Sequence, residues 1–193
     1  MLVQAAMALW RTNGYAETTV AQICAAAGVS KALFYFYFPR KEDVLFEVGV
    51  LSTRQAQRVI AAGLDRPGYD LTALIADALA SLEKSMQANP AELVIQTILE
   101  GYRHEHRILA GDPERPADLD GGMFTALFTR AVADGTLPPG TDIGHLAYLA
   151  MTLVSEGARH WAAGAFGDRS FAEVIATDIA TLIAGVRHTN SRE

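Results

Sequence analysis

The sequence predicts an all-α protein in which an N-terminal three-helix unit precedes a larger helical domain. Three observations carry that expectation. Apolar residues recur at three- and four-residue steps through most of the 193 residues. No stretch alternates apolar and polar residues between turn signals, as a half-buried strand would. Gly, Pro and Asn-Gly breaks cut the chain into helix-length pieces.

Leu2 to Thr12 forms the first helix, with Asn13-Gly14 ending it; Gly14 suits a left-handed residue and Tyr15 the apolar contact beyond. Thr18 or Thr19 offers the N-cap of a second helix, from Val20 to Ala26 or Ala27. Gly28 breaks it, and Ser30 caps a third helix that runs through Phe34-Tyr35-Phe36-Tyr37-Phe38 to Pro39. A fourth starts near Arg40 or Lys41, where Glu42 and Asp43 complement the dipole of its first turn, and continues to about Ala62. Five longer helices are expected over 71–88, 91–110, 118–134, 142–166 and 171–187. The domain boundary falls inside the fourth helix, giving domains of 1–48 and 49–193.

Composition narrows the class. The single cysteine, Cys24, excludes a disulfide framework and a cysteine-built zinc site. With no signal-peptide pattern and no 18-residue apolar run, a soluble cytoplasmic protein without a membrane partner is expected. A Gly-rich phosphate loop, a nucleophile motif and a metal-ligand spacing are all lacking, so no catalytic residue, metal or cofactor is expected. His104-Glu105-His106 does not change this, because residues two apart on a helix face opposite ways. Glu100 and His104 are placed for a surface hydrogen bond, and Glu156 and His160 repeat that spacing beside Arg159.

The net charge of −6 argues against nucleic acid, but its distribution qualifies that. Residues 1–50 balance Arg11, Lys31, Arg40 and Lys41 against Glu17, Glu42, Asp43 and Glu47, so the acidic excess lies beyond them. Two short helices joined through Gly28 make a helix-turn-helix candidate. Phe34 and Phe38, four apart, share a face that packs on the first two helices. Ser30, Lys31, Tyr35, Tyr37 and Lys41 carry hydroxyls and ammonium groups suited to phosphate oxygens, while Ala32 and Leu33 offer apolar contact, as to a thymine methyl. A plain helical hairpin would show the same spacing.

The stretch from Thr18-Thr19-Val20 through Gly28-Val29-Ser30-Lys31-Ala32-Leu33-Phe34-Tyr35 to Phe38-Pro39-Arg40-Lys41, with Leu9-Trp10 and Asn13-Gly14-Tyr15 upstream, closely resembles the DNA-binding signature of TetR-family regulators. The motif covers roughly residues 2–48. The resemblance implies a homodimer with a helix-turn-helix DNA-binding domain and a larger helical domain for ligand binding and dimerisation. It places Thr19, Val20, Ser30, Lys31, Ala32, Leu33, Tyr35, Tyr37 and Lys41 at DNA-contact positions. Three residues depart from it: Ala32 stands where Gly is common, Tyr37 where His is, and Arg40 where Ser or Asn caps helix four. Arg40 cannot accept backbone N–H bonds but adds positive charge beside DNA. A short basic arm often precedes helix one in the family, and here the sequence starts almost on the helix.

In the C-terminal domain, Leu149, Leu153 and Trp161 on one helix and Phe171, Ile175, Ile179 and Leu182 on the next form stripes. These face either a dimer partner, as the resemblance implies, or their own core. Leu79, Met86, Ile98, Tyr102, Phe124, Phe128 and Met151 are candidates to line an effector pocket, or are plain core. Their lack of charge favours a small apolar or aromatic effector. The expected function is a ligand-responsive, sequence-specific transcriptional repressor whose partners are double-stranded DNA and that effector. A helical adaptor that keeps the module without specific DNA binding is the alternative.

Overall fold

The computed structural model describes residues 1–110 and 122–189. Its helices are α1 (Leu2–Asn13), α2 (Val20–Ala27), α3 (Lys31–Tyr37), α4 (Lys41–Leu64), α5 (Leu71–Gln87), α6 (Ala91–Leu109), α7 (Thr125–Ala133), α8 (Ile143–Ala162) and α9 (Phe171–Thr189). Among the described residues there is no strand, and no single helix is long and apolar enough to cross a membrane. Packing divides the chain into two compact units, Met1–Leu51 with Met86–Arg115, and Ser52–Ser85 with Pro116–Glu193.

The first unit is built around Ala6 and Trp10 of α1, Ile23 and Cys24 of α2, Phe34 of α3, Val44, Leu45 and Val48 of α4, and Leu93 of α6. Ala6 and Trp10 are one helical turn apart, so α1 presents a single stripe inward. Its indole lies edge-on to Tyr15, with ring centroids 5.2 Å apart. The structure selects Thr19, not Thr18, as the cap of α2. The Thr19 hydroxyl accepts from the Gln22 N–H, and the Gln22 side chain accepts from the Thr19 N–H, a reciprocal capping box. At the other end Gly28 takes φ 67°, ψ 32°, and its N–H and that of Val29 close back on the Ala25 and Cys24 carbonyls. Gly14 differs from expectation. Its φ of 84° is positive, but ψ of 158° takes it out of the left-handed helical region; its N–H still bonds the Trp10 carbonyl, and Tyr15 supplies the expected apolar contact by packing on Trp10.

In the second unit α8 packs on α9 through small residues. Ala150, Gly157 and Ala158 are buried on α8, and a Cβ added at Gly157 would run into Ile175 of α9. Gly157 therefore permits a close approach within one chain. Most helix ends fall within two residues of expectation, and α7 and α8 depart furthest. The helix expected over 118–134 begins only at Thr125, after a turn in which the Thr125 N–H reaches the Gly122 carbonyl; residues 118–121 lie outside the described ones. The helix expected to reach 166 stops at Ala162, where the N–H groups of Gly164 and Ala165 reach back to the Trp161 and His160 carbonyls and complete its cap. The last helix instead runs two residues further than expected, to Thr189.

One carboxylate ties α5 to the start of α9. Glu83 accepts from the Ser170 hydroxyl at 2.7 Å, from the Phe171 N–H at 3.2 Å and from the Ala172 N–H at 3.1 Å. A helix N-terminus leaves its first N–H groups without intrahelical partners and carries partial positive charge, so a nearly buried carboxylate satisfies both needs at once. Replacing it with alanine strands two buried N–H groups. Glu83→Ala is expected to lower stability by roughly 1–3 kcal/mol, read as a lower urea midpoint with an unchanged slope.

Candidate nucleic-acid interface

The chain turns through 103° between α2 and α3, inside the range of a helix-turn-helix. Gly28 makes that angle possible, since its left-handed conformation costs an L-residue energy that glycine avoids. Ser30 then starts α3, its hydroxyl accepting from the Leu33 N–H at 3.1 Å. Within α3 only Phe34 is buried. It stacks obliquely on Phe38, which is half-buried, with centroids 5.7 Å apart. Every other side chain of the helix faces solvent.

The exposed face carries Lys31, Ala32, Leu33, Tyr35, Phe36 and Tyr37. Phe36 is the most exposed of its large apolar residues, at 78 %. It is not among the residues expected to touch DNA; lying off the face shared by Phe34 and Phe38 is the signal that exposes it. Between Thr18 and Lys41 there is no acidic residue, although the chain holds 22 in all. A surface of hydroxyls and an exposed lysine, with no carboxylate between Thr18 and Lys41, suits a polyanion.

Thr19 is exposed at the tip of α2 with its hydroxyl engaged in the capping box, and Val20 is half-buried beside it. Lys41, expected at a phosphate, is fastened to the protein. Its ammonium donates to the Tyr15 and Thr18 carbonyls, each at 3.0 Å, and lies 4.2 Å from the centre of the Tyr15 ring. These contacts order the loop between α1 and α2. The Tyr15 hydroxyl in turn donates to Glu42 at 3.1 Å, and burial followed by the Glu42 charge raises its pKa above the usual tyrosine range.

Arg40 is likewise committed. Its backbone N–H donates to Asp43 Oδ2 at 2.9 Å, so Asp43 caps α4 from within, where Arg40 itself cannot. Its guanidinium reaches Asp43 Oδ1 at 2.7 Å and Glu100 Oε1 at 2.8 Å. Hydrogen bonding to Asp43 is the main cause of a pKa raised above the ordinary arginine value. Glu100 is fully buried, which corrects the expected surface pair with His104. His104 instead stacks on Phe46, centroids 3.8 Å apart.

The candidates for an effector pocket divide between the two units. Leu79, Phe124 and Phe128 are fully buried in the second unit, where Phe124 and Phe128 stack at 5.7 Å, and Met151 is half-buried there. Met86, Ile98 and Tyr102 belong to the first unit. A hollow of about 420 Å³ opens in the second unit against Gln57, Ile60, Leu64, Asp65, Met123 and Thr125, and none of the seven lines it. Of the residues expected at a dimer face, Phe171, Ile175 and Ile179 are at most 2 % exposed and belong to their own chain's core. Helical spacing reports that a face is covered, not by what. Leu149, Leu153, Trp161 and Leu182 stay half-buried. Glu156 pairs with Arg159 at 2.6 Å and lies 4.0 Å from His160.

A helix-turn-helix module on an all-helical chain is the class that this geometry defines. Residues 2–48 match the family model of bacterial regulatory proteins, tetR family. Solved structures agree over nearly the whole chain. The TetR-family repressor FadR of Thermus thermophilus, in complex with lauroyl-CoA, is 23% identical, with a TM-score of 0.66 over 95% of this chain and 91% of that one. The regulator FadR of Bacillus subtilis, in complex with stearoyl-CoA, is 19% identical, with a TM-score of 0.63 over 96% and 97%. A TetR-family protein of Syntrophomonas wolfei is 16% identical, with a TM-score of 0.63 over 96% and 94%. A comparison with curated protein sequences gives no match. The N-terminal module is that of the tetR family, and the chain has the fold of solved TetR-family regulators.

The commitment of Lys41 to two carbonyls has a measurable consequence. Lys41→Met keeps the aliphatic stem and removes the donors, leaving the carbonyls of Tyr15 and Thr18 without this partner. Stability is expected to fall by about 1–2 kcal/mol, seen as a lower thermal midpoint in the absence of DNA. An unchanged midpoint would return the side chain to a purely DNA-facing role.

Proposed function

We propose that this chain is a ligand-responsive transcriptional repressor that binds a pseudo-palindromic DNA site as a homodimer. The observation that carries the reading is α3. It is held by one buried side chain, capped by Ser30, and presents Lys31, Leu33, Tyr35 and Tyr37 on a surface free of acid from Thr18 to Lys41. In this reading Lys31 and the tyrosine hydroxyls contact phosphates, and Ala32 and Leu33 lie against base edges in the major groove. Residues 49–193 supply the effector site and the dimer contact, the latter through the half-buried Leu149, Leu153, Trp161 and Leu182. Two structures of the same fold hold long-chain acyl-CoA, which supports an effector with a long apolar part. Effector binding and DNA binding then oppose each other by linkage.

The test is fluorescence anisotropy with a duplex spanning the gene's own upstream region, at two salt concentrations and with scrambled competitor. Saturable, competitor-resistant binding is expected. Lys31→Ala should weaken all duplexes and flatten the log–log salt dependence by about 0.9 per DNA-binding head. Lauroyl-CoA or stearoyl-CoA should reduce DNA binding. Equal affinity for specific and scrambled DNA, or none for either, favours the adaptor reading, for which the balanced charge of residues 1–50 speaks.

A further inference from the structure

Glu100 of α6 is the most buried charged side chain among the described residues. A carboxylate persists in that setting only when it is paired. Its partners are Arg40 Nη2 at 2.8 Å, Arg103 Nη1 at 3.3 Å and Arg107 Nη2 at 3.2 Å. Arg103 and Arg107 stand on α6 itself and travel with the carboxylate. Arg40 does not. It belongs to the corner Phe38-Pro39-Arg40 that joins α3 to α4.

That corner has little slack. Phe38 is extended, at φ −132° and ψ 94°, as the residue before a proline tends to be, and Pro39 restricts its own φ. Arg40 then makes three bonds, two to Asp43 at the head of α4 and one to Glu100. The chain leaving α3 is therefore fastened both at α4 and at α6. Rotating a helix by one residue swings a side chain through about 100°, so the Arg40–Glu100 bond depends on the rotational setting of α6.

We propose that Glu100 is a positioning residue for DNA recognition, which holds Arg40 and thereby fixes the angle at which α3 is presented. The proposal rests on the reading that α3 binds DNA. The competing role for Arg40 is direct contact with a phosphate, and the two roles predict opposite effects.

The experiment is the same anisotropy titration on the full-length protein with Glu100→Gln, Arg40→Gln and the double variant, with thermal melting as the control for folding. Positioning predicts that Glu100→Gln weakens binding about tenfold, the scale of one lost base contact, with the salt slope unchanged. Arg40→Gln should match it, and the double variant should bind no more weakly than the weaker single one. A phosphate contact predicts that Glu100→Gln frees a guanidinium and leaves binding equal or tighter, while Arg40→Gln flattens the slope by about 0.9 per head. Either of those results overturns the proposal. If Glu100→Gln does not fold, the salt slope of Arg40→Gln decides alone, because that side chain is 45% exposed and its loss is tolerable. Failure of the unsubstituted protein to prefer its own upstream DNA would instead remove the functional reading on which the proposal stands.

Discussion

Seven residues are too few to hold a helix in water, because the cost of the first turn is hardly repaid before the helix ends. α3 has that length, so its existence depends on what it is attached to. Its attachment is Phe34, wholly buried among Trp10 and Ile23 and the first turns of α4. Truncating such a side chain costs about 3–5 kcal/mol, a large share of the stability of a small unit. The outer face of α3 is held in place by this inward ring, by Phe38 packed beside it, and by the fastened chain at its two ends.

Around that apolar anchor the polar groups serve order more than outreach. Three of the four basic residues among the first fifty are turned to internal partners, Arg11 to the Asn89 side chain at 2.9 Å. Lys41 binds carbonyls of the preceding loop, and Arg40 binds two buried carboxylates. A module with zero net charge can still present a surface without acid, because Asp43 is buried and Glu42 is bonded to Tyr15. Local placement of charge, not its sum, decides what such a surface attracts.

Much of this was legible along the chain. Phe34 and Phe38 are four apart and Gly28 falls between two short helices, so the packed face of α3 and the break before it follow from local spacing, while the resemblance of the motif distinguishes a helix-turn-helix from a plain hairpin. What failed was long-range. The stripe through Phe171, Ile175 and Ile179 predicts burial correctly, but spacing does not name the partner, and Gly157 and the rest of α8 in the same chain fill that role. Glu100 was misread because its neighbour at four residues is His104, whereas its decisive partner lies sixty residues away.

The chain has two tryptophans, and each unit holds one. Trp10 is 1 % exposed, its indole N–H donates to no partner, and its ring is edge-on to Tyr15. Trp161 is half-buried, 6.4 Å from the ring of Phe171. The first is a fluorophore in a dry apolar site and emits towards the blue, while the second senses the solvent boundary. One optical signal thus contains two separable reporters, and removing either indole leaves a spectroscopic view of the other unit alone.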